Sequence, residues 1–377
     1  MPGPPRLSVA ELADGAADFP LLDGDGQPSV PLLAVDLSGL RDDEQSGVLL
    51  SRAAARAAGC PRLLAGLAPG PLPARAAQLL RALDLTFTAG PDPTFTAGGP
   101  SGLEGPGGPP GRECVPVPDP DAALAALAVA AGASPRAALV LRQVLRATEG
   151  LAVPQALDVE SLAYSALLAG PEFRAWLAGR QDRPPPPLAA EPVLVRRYRC
   201  GVDECLRITL NRPERRNAYG RQLRDALTDA LRVALFDQSI ARVVLDGAGP
   251  CFSSGGDLAE FGTAPDLVTA HFVRTQAGAG LLLHALRDRA EARLHGPCVG
   301  AGVELPAFTA TVTADPGTTF TLPEVGMGLI PGAGGTVSIP RRIGRWRTLC
   351  LALGGQPLAA ATALAWGLVD RLTPPGP

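Results

Sequence analysis

The stretch that most constrains this chain is residues 295–336, which read HGPCVGAGVELPAFTATVTADPGTTFTLPEVGMGLIPGAGGT. It places Glu304 just behind one glycine-rich turn, at residues 300–302, and Glu324 ahead of a second, at residues 331–335. A carboxyl group inside an apolar run has to be hydrogen-bonded, shifted in pKa or functional. Glycine turns also allow close approach to backbone N–H groups. The stretch therefore predicts a buried site that moves protons beside exposed amides.

A third glycine turn, SGGD at residues 254–257, lies where a predicted strand gives way to helical sequence. Amides from this turn and from the turn at 300–302, converging on one carbonyl oxygen, would form an oxyanion hole that stabilises an enolate. Taken alone, either turn is more typical of a tight turn or a helix cap than of an oxyanion hole. Asp257 is predicted to cap a helix. Alone, Glu304 is also typical of a helix-terminal carboxylate, and Glu324 of an acid in a surface loop.

Composition excludes several function classes. All 34 basic residues are Arg, the formal net charge is −3, and aromatic residues make up 4% of the chain, which argues against nucleic acid or an anionic membrane as a partner. The seven scattered cysteines form no CxxC pair, which is typical of reduced thiols in a cytoplasmic protein. The three histidines have no metal-site spacing, so we expect no metal. We find no signal-peptide pattern and no apolar run long enough to span a membrane.

Hydrophobic patterns predict an α/β chain with a boundary in its middle. Residues 1–30 are predicted to be loosely ordered, residues 31–180 to form an N-terminal domain, residues 181–192 to be a Pro-rich linker, and residues 193–377 to form the catalytic core. In the N-terminal domain we predict strands at 31–37 and 60–67, a third apolar segment at 79–88, a Gly/Pro loop at 98–111, and helices at 46–59, 122–131, 134–148, 157–168 and 171–179. In the core we predict strands at 193–198, 206–210 and 242–246, and helices at 221–236, 267–290, 341–353 and 359–366.

At this point the residues resemble a known family, the crotonase or enoyl-CoA hydratase/isomerase superfamily. The resemblance covers about residues 193–372 and rests on the order and spacing of its motifs: LNRPERRNAY at 210–219, CFSSGGDL at 251–258, HGPCVGAGVEL at 295–305, FTLPEVGMGLIPGAGGT at 320–336, PRRIGR at 340–345 and AWGLVD at 365–370. It implies a spiral of ββα units, usually assembled as a homo-oligomer, a trimer or a hexamer. It also implies an acyl-CoA thioester as substrate, with coenzyme A as part of that substrate and no separate cofactor.

The resemblance also implies roles for individual residues. The oxyanion-hole amides fall on Gly256 and Ala301, and the two hydratase glutamates on Glu304 and Glu324. Glu304 would activate water for attack at Cβ, and Glu324 would deliver a proton to Cα. Coenzyme A and the substrate would lie along Ala218, Ser254, Gly255, Asp257, Leu258 and Gly300.

This chain departs from the family pattern in three ways. Tyr219 replaces an aliphatic residue, and the absence of lysine leaves Arg215 or Arg216 to meet the phosphates of coenzyme A. The terminal helices that usually follow the GLV motif are missing, because the chain stops at Pro377. Residues 135–187 resemble those helices, so we hypothesise that the chain fuses two crotonase-like halves. The first half would be degenerate, and its helices would pack over the active site of the second.

Retention of both glutamates favours a hydratase, a lyase that adds water to an enoyl-CoA. Two alternatives stay open. The first is another enolate reaction on the same scaffold, namely isomerisation, decarboxylation or a cofactor-free oxygenation of an aryl-acetyl-CoA. The second is a non-catalytic subunit that binds acyl-CoA.

Overall fold

A computed structural model describes residues 3–40, 42–90, 111–180 and 187–374. The chain divides into two compact units. The first comprises Met1–Gln143 and Ile343–Gly355, and the second comprises Val144–Arg342 and Gln356–Pro377. Residues 98–110 of the predicted Gly/Pro loop and residues 181–186 of the predicted Pro-rich linker lie outside the described residues.

The first unit is built on a five-stranded sheet in which every neighbouring pair is parallel. Its strands, in chain order and in sheet order, are β1 (Arg6–Ser8), β2 (Leu32–Asp36), β3 (Leu63–Ala68), β4 (Leu85–Ala89) and β5 (Cys114–Val117). The central strand β3, with the sequence LLAGLA, is buried along its whole length, as expected for a parallel sheet covered on both faces. The predicted strands at 31–37 and 60–67 are confirmed.

Helices connect and follow these strands: α1 (Val9–Ala13), α2 (Glu44–Gly59), α3 (Ala77–Ala82), α4 (Pro120–Ala133) and α5 (Pro135–Ala147). Asp119 caps α4 by accepting a hydrogen bond from the amide of Ala122. Among the described residues no single helix is long and apolar enough to cross a membrane. The pair α4 and α5, bent by 107° where they meet, reaches the required length and apolar composition only when the two helices are taken together.

A buried ion pair lies in the core of the first unit. Asp84, whose side chain is 1% exposed, accepts a hydrogen bond from Arg142 at 2.9 Å and another from the amide of Leu64. Arg345 approaches the second carboxylate oxygen of Asp84 at 3.7 Å.

The second unit begins with two helices, α6 (Val153–Leu168) and α7 (Pro171–Ala178), and continues with a hairpin of β6 (Val193–Cys200) and β7 (Asp203–Leu210). The remaining strands are β8 (Ile240–Gly247), β9 (Ala290–Leu294), β10 (Pro297–Val299), β11 (Thr311–Ala314), β12 (Thr319–Thr321), β13 (Leu358–Ala359) and β14 (Arg371–Leu372). The remaining helices are α8 (Arg221–Phe236), α9 (Leu267–Ala277), α10 (Gly280–Ala285), α11 (Ala301–Glu304), α12 (Gly335–Leu353) and α13 (Ala360–Trp366). Of α12, the residues up to Arg342 belong to this unit and those from Ile343 onwards to the first.

The main sheet of the second unit has the order β14-β11-β9-β8-β7-β6. From β7 to β14 the neighbouring strands pair in parallel, and chain order again matches sheet order. The predicted ββα fold is therefore observed, since a β6–β7 hairpin leads into α8, whose apolar side chains Leu223, Leu227 and Leu231 are buried. That the first unit is a degenerate copy of the second stays a hypothesis.

One predicted helix is wrong, and one predicted boundary differs from the division found. The helix predicted at 267–290 is α9, α10 and the start of β9, because the backbone is extended at Gly278 and the helix cannot continue through it. The boundary predicted at residues 181–192 also differs from the division found, because α6 and α7 belong to the second unit. α12 is interrupted at Gly344, where φ is 81°.

Candidate active site

Two glycine turns of the second unit lie against each other. One follows β8 at residues 251–257 and the other joins β10 to α11. The amide of Val299 donates to the carbonyl of Ser253 at 3.1 Å, which ties the two turns together. Gly255 has φ +85°, and a Cβ there would lie 2.8 Å from the carbonyl oxygen of Val299. Gly300 has φ +47°, and a Cβ there would collide with the carboxyl group of Glu324. Both positions therefore require glycine.

Each turn contributes a residue to the lining of one cavity of about 400 Å³. These residues include Gly256 and Ala301, the two positions predicted from the sequence to supply oxyanion-hole amides. Neither the amide of Gly256 nor that of Ala301 donates to an acceptor among the described residues. The backbone hydrogen bonds between the first turn and Tyr219 use the amides of Tyr219 and Asp257 instead. Ala301 is the first residue of α11, so its amide has no partner within that helix. Two N–H groups with no acceptor at adjacent turns can bind a single oxygen atom that gains negative charge.

Glu304 lies at the end of α11 and is 2% exposed. Its Oε2 accepts hydrogen bonds of 2.8 Å from the amides of Ala333 and Gly335. The second glycine-rich turn of the opening stretch therefore holds this carboxyl group. Burial raises the pKa of Glu304 well above its ordinary value, the carboxyl groups of Glu324 and Glu160 raise it further, and the two amides act in the opposite direction.

Glu324 reaches the same cavity from the other side. β10 and β12 pair in parallel with Val299 opposite Thr321, and the chain after β12 brings Glu324 to the turn at Gly300. Glu324 is 8% exposed, and its Oε2 is buried without a hydrogen-bond partner among the described residues. Burial raises the pKa of Glu324 from 4.5 to about 8. At neutral pH this carboxyl group therefore carries a proton that it can donate.

A third carboxyl group, which sequence reasoning missed, is Glu160 on α6. It is 2% exposed and accepts hydrogen bonds from the amide of Gly334 at 2.8 Å and from the amide and hydroxyl of Thr336 at 2.9 and 2.7 Å. Burial raises the pKa of Glu160 to about 7, against these hydrogen bonds, which lower it. Along residues 333–336, the amides therefore donate in alternation to Glu304 and to Glu160.

Helices α6 and α7 line the cavity together with the two glutamates of the core. Their contributing side chains include Leu157, Tyr164, Leu168, Phe173 and Leu177. Two of the helices predicted within residues 135–187, α6 and α7, thus line this cavity, and their packing over an active site stays a prediction. The same resemblance was the signal that could have pointed to Glu160 and Tyr164.

The predicted residues for coenzyme A and substrate are not part of the cavity lining. These are Ala218, Ser254, Gly255, Asp257, Leu258 and Gly300. Asp257 caps the short 3-10 helix at Leu258–Glu260, as predicted, and receives two hydrogen bonds from Arg215, at 2.6 and 3.1 Å. Since Arg215 is engaged there, exposed Arg216, which has no ion pair within the described residues, is the better of the two candidates for the phosphates of coenzyme A.

Comparisons with known proteins show which family the chain resembles. The family model described as "Enoyl-CoA hydratase/isomerase" matches residues 203–376. The chain is similar to "2,3-dehydroadipyl-CoA hydratase" of Escherichia coli, with 35% identity over 45% of this chain and 66% of that protein. It is also similar to "Probable enoyl-CoA hydratase echA8" of Mycobacterium bovis, with 33% identity over 49% of this chain and 69% of that protein.

The solved structure of Pseudomonas aeruginosa DspI is 27% identical and aligns with 52% of this chain and 71% of that one. Its TM-score of 0.43 is too low to carry an argument about the fold. The chain spans about two thirds of the length of the curated relatives it matches. From its strand order, its motifs and these sequence matches, the chain belongs to the enoyl-CoA hydratase/isomerase family of the crotonase superfamily.

Proposed function

We propose that this protein is an enoyl-CoA hydratase that adds water across the double bond of an α,β-unsaturated acyl-CoA thioester. The observation that carries the proposal is the pairing of two buried carboxyl groups with different hydrogen-bond surroundings beside two amides that lack acceptors. Glu304 has amide donors that favour its charged form, whereas the buried Oε2 of Glu324 has no partner among the described residues. Within such a coupled pair the negative charge is expected on Glu304 and the proton on Glu324.

The reaction follows from these positions. The thioester carbonyl oxygen accepts hydrogen bonds from the amides of Gly256 and Ala301, which stabilise the enolate that forms on attack. Glu304 takes a proton from water as the oxygen of that water bonds to Cβ. Glu324 then gives its proton to Cα, the enolate collapses to the thioester, and proton exchange with solvent restores both acids. The proposed reaction needs no cofactor beyond the coenzyme A of the substrate.

Two single substitutions test this assignment. Glu304→Gln and Glu324→Gln are each expected to lower hydration of crotonyl-CoA by about 10²–10⁴-fold, because each removes one proton-transfer step. Hydration is followed as loss of the conjugated-thioester absorbance, with longer and aromatic enoyl-CoAs tested in parallel. Glu214→Gln, which removes an exposed carboxylate outside the cavity, is the matched control.

The outcome also separates the alternatives. An isomerase would lose its activity mainly with one of the two substitutions. A binding subunit would show no turnover of any enoyl-CoA, and both variants would then bind acyl-CoA as the wild type does. Either result would overturn the hydratase proposal.

A further inference from the structure

Arg274 is a cation that the proposed chemistry leaves unused. It lies on α9 and lines the same cavity, beside the apolar side chains that α6 and α7 contribute. Its guanidinium group stacks on the ring of Tyr164, 4.6 Å from the ring centroid. Partial burial lowers the pKa of Arg274, which means that its charge has lost hydration within the cavity.

The protein partners of Arg274 are neutral oxygens. Its Nε donates to the hydroxyl of Ser161 at 3.1 Å, and its Nη2 donates to the carbonyl of Ser161 at 3.0 Å and to the hydroxyl of Ser165. No acceptor among the described residues is bound to Nη1. The guanidinium plane is therefore fixed by two serines of α6 while one of its nitrogens stays available.

No carboxylate among the described residues lies within 4.0 Å of Arg274. Glu160 is near enough for the charge of Arg274 to lower its pKa, but its oxygens are occupied by Gly334 and Thr336. Arg224, which lines the same cavity, is paired with Asp225 at 2.7 Å. A partly buried guanidinium without a counter-ion is energetically unfavourable, and an anion that enters the cavity would compensate it.

We propose that Arg274 binds a terminal carboxylate on the acyl chain, so that the preferred substrates are thioesters of dicarboxylic acids. The free Nη1 can donate charge-assisted hydrogen bonds to a carboxylate, and the two serines hold the guanidinium in place before the ligand arrives. The inference rests on the proposed function only in placing the acyl chain in this cavity. It predicts a preference at the far end of the substrate, away from the reacting carbons.

Binding of saturated thioesters tests the inference without any chemistry. Adipyl-CoA and hexanoyl-CoA share a six-carbon chain and differ by the terminal carboxylate, and glutaryl-CoA with pentanoyl-CoA and suberyl-CoA with octanoyl-CoA extend the series. At the best-fitting length, calorimetry with the wild type should show the diacid thioester binding about tenfold to hundredfold more tightly, as expected for a charge-assisted contact. Equal affinities at every length would overturn the inference without any variant.

Two variants test whether the preference for diacid thioesters arises from Arg274. Arg274→Gln should bring the diacid and monoacid thioesters to nearly equal affinity while leaving hexanoyl-CoA within a few-fold of the wild type. Arg224→Gln, which removes an arginine of the same cavity that is already paired, should keep the wild-type ratio. A purely structural role of Arg274 between α6 and α9 would weaken both ligands equally in Arg274→Gln, and that result would contradict the inference.

Hydration of crotonyl-CoA, which has no terminal carboxylate, separates this inference from the proposed function. Turnover of crotonyl-CoA without a diacid preference would leave the hydratase proposal standing and refute the role of Arg274. A diacid preference that depends on Arg274, without turnover of any enoyl-CoA, would support the role of Arg274 and refute the hydratase proposal.

Discussion

Glu324→Gln should make the protein more stable while it removes activity. The carboxyl group has a pKa of about 8 in the folded protein and 4.5 as its ordinary value, because burial disfavours the charged form. Between these two pH values the native state binds more protons than the unfolded state, so stability falls as pH rises. The glutamine side chain carries no charge and escapes this cost.

The magnitude follows from the two pKa values. Each pH unit between them costs about 1.4 kcal/mol, so the burial of Glu324 costs roughly 3 kcal/mol at pH 7. The cost is under about 1 kcal/mol at pH 5 and about 4 kcal/mol at pH 8. The stability gained by Glu324→Gln should therefore grow by about 3 kcal/mol between pH 5 and pH 8.

Urea unfolding of the wild type and of Glu324→Gln at both pH values measures this difference. Unfolding is followed by tryptophan fluorescence, which reports on Trp176 and Trp366 of the second unit and on Trp346 of the first. Glu291→Gln is a control of opposite sign: burial raises the pKa of Glu291, but hydrogen bonds from Arg242 and Arg293 outweigh it and the pKa is lowered, so this variant should lose stability at neutral pH. A gain in Glu324→Gln that does not increase with pH would refute the account of Glu324 as a buried neutral acid.

Three further substitutions probe the supports of the site and of the first unit. At pH 5 Glu160→Gln should lower the free energy of unfolding by about 1–3 kcal/mol, since one buried donor loses its acceptor. This loss should shrink towards pH 7, because burial raises the pKa of Glu160 to about 7 and the glutamine escapes the cost of the buried charge. The substitution should also shift the acidic limb of the pH profile of kcat/KM to lower pH, because the carboxyl group of Glu160 raises the pKa of Glu304. Gly300→Ala should cost at least about 1–2 kcal/mol of stability from its positive φ and lower kcat by about 10²-fold by displacing the neighbouring amide. Asp84→Ala should lower the free energy of unfolding of the first unit by about 3–5 kcal/mol, because it leaves Arg142 buried with its charge uncompensated.

Each of these substitutions has a matched control. Asp158→Asn changes an exposed acid on the same helix as Glu160 and should alter neither stability nor the pH profile. Gly317→Ala adds a methyl group where no heavy atom lies within 4 Å and should be tolerated. Asp14→Ala breaks an exposed ion pair with Arg52 and should cost at most about 1 kcal/mol. A control that behaves like its partner variant would show that the effect is not specific to the site.

The central site could be predicted because its parts are local in sequence. Each glycine turn stands next to the residue it presents, and the two acids lie in the same apolar stretch, so Gly256, Ala301, Glu304 and Glu324 do line one cavity. Their chemical roles remain predictions.

The individual residues that α6, α7 and α9 contribute to the cavity could not be predicted from the sequence. Glu160 bonds to Gly334 and Thr336 across more than 170 positions, and Arg274 meets Ser161 across 113. Such pairs depend on how helices pack, which periodicity alone does not determine. The predicted boundary at 181–192 differs from the division found for a related reason, since the apolar faces of α6 and α7 belong with the second unit although proline marks the break in sequence.

The most direct test of the proposed chemistry is isotope incorporation from solvent. Crotonyl-CoA is incubated with the protein in deuterium oxide enriched in oxygen-18, and the thioester products are analysed by mass spectrometry. The account predicts 3-hydroxybutyryl-CoA with one oxygen-18 on Cβ and one deuterium on Cα. Deuterium without oxygen-18 would show proton transfer without hydration, and unlabelled crotonyl-CoA would show no catalysis on this thioester, and either result would contradict the account.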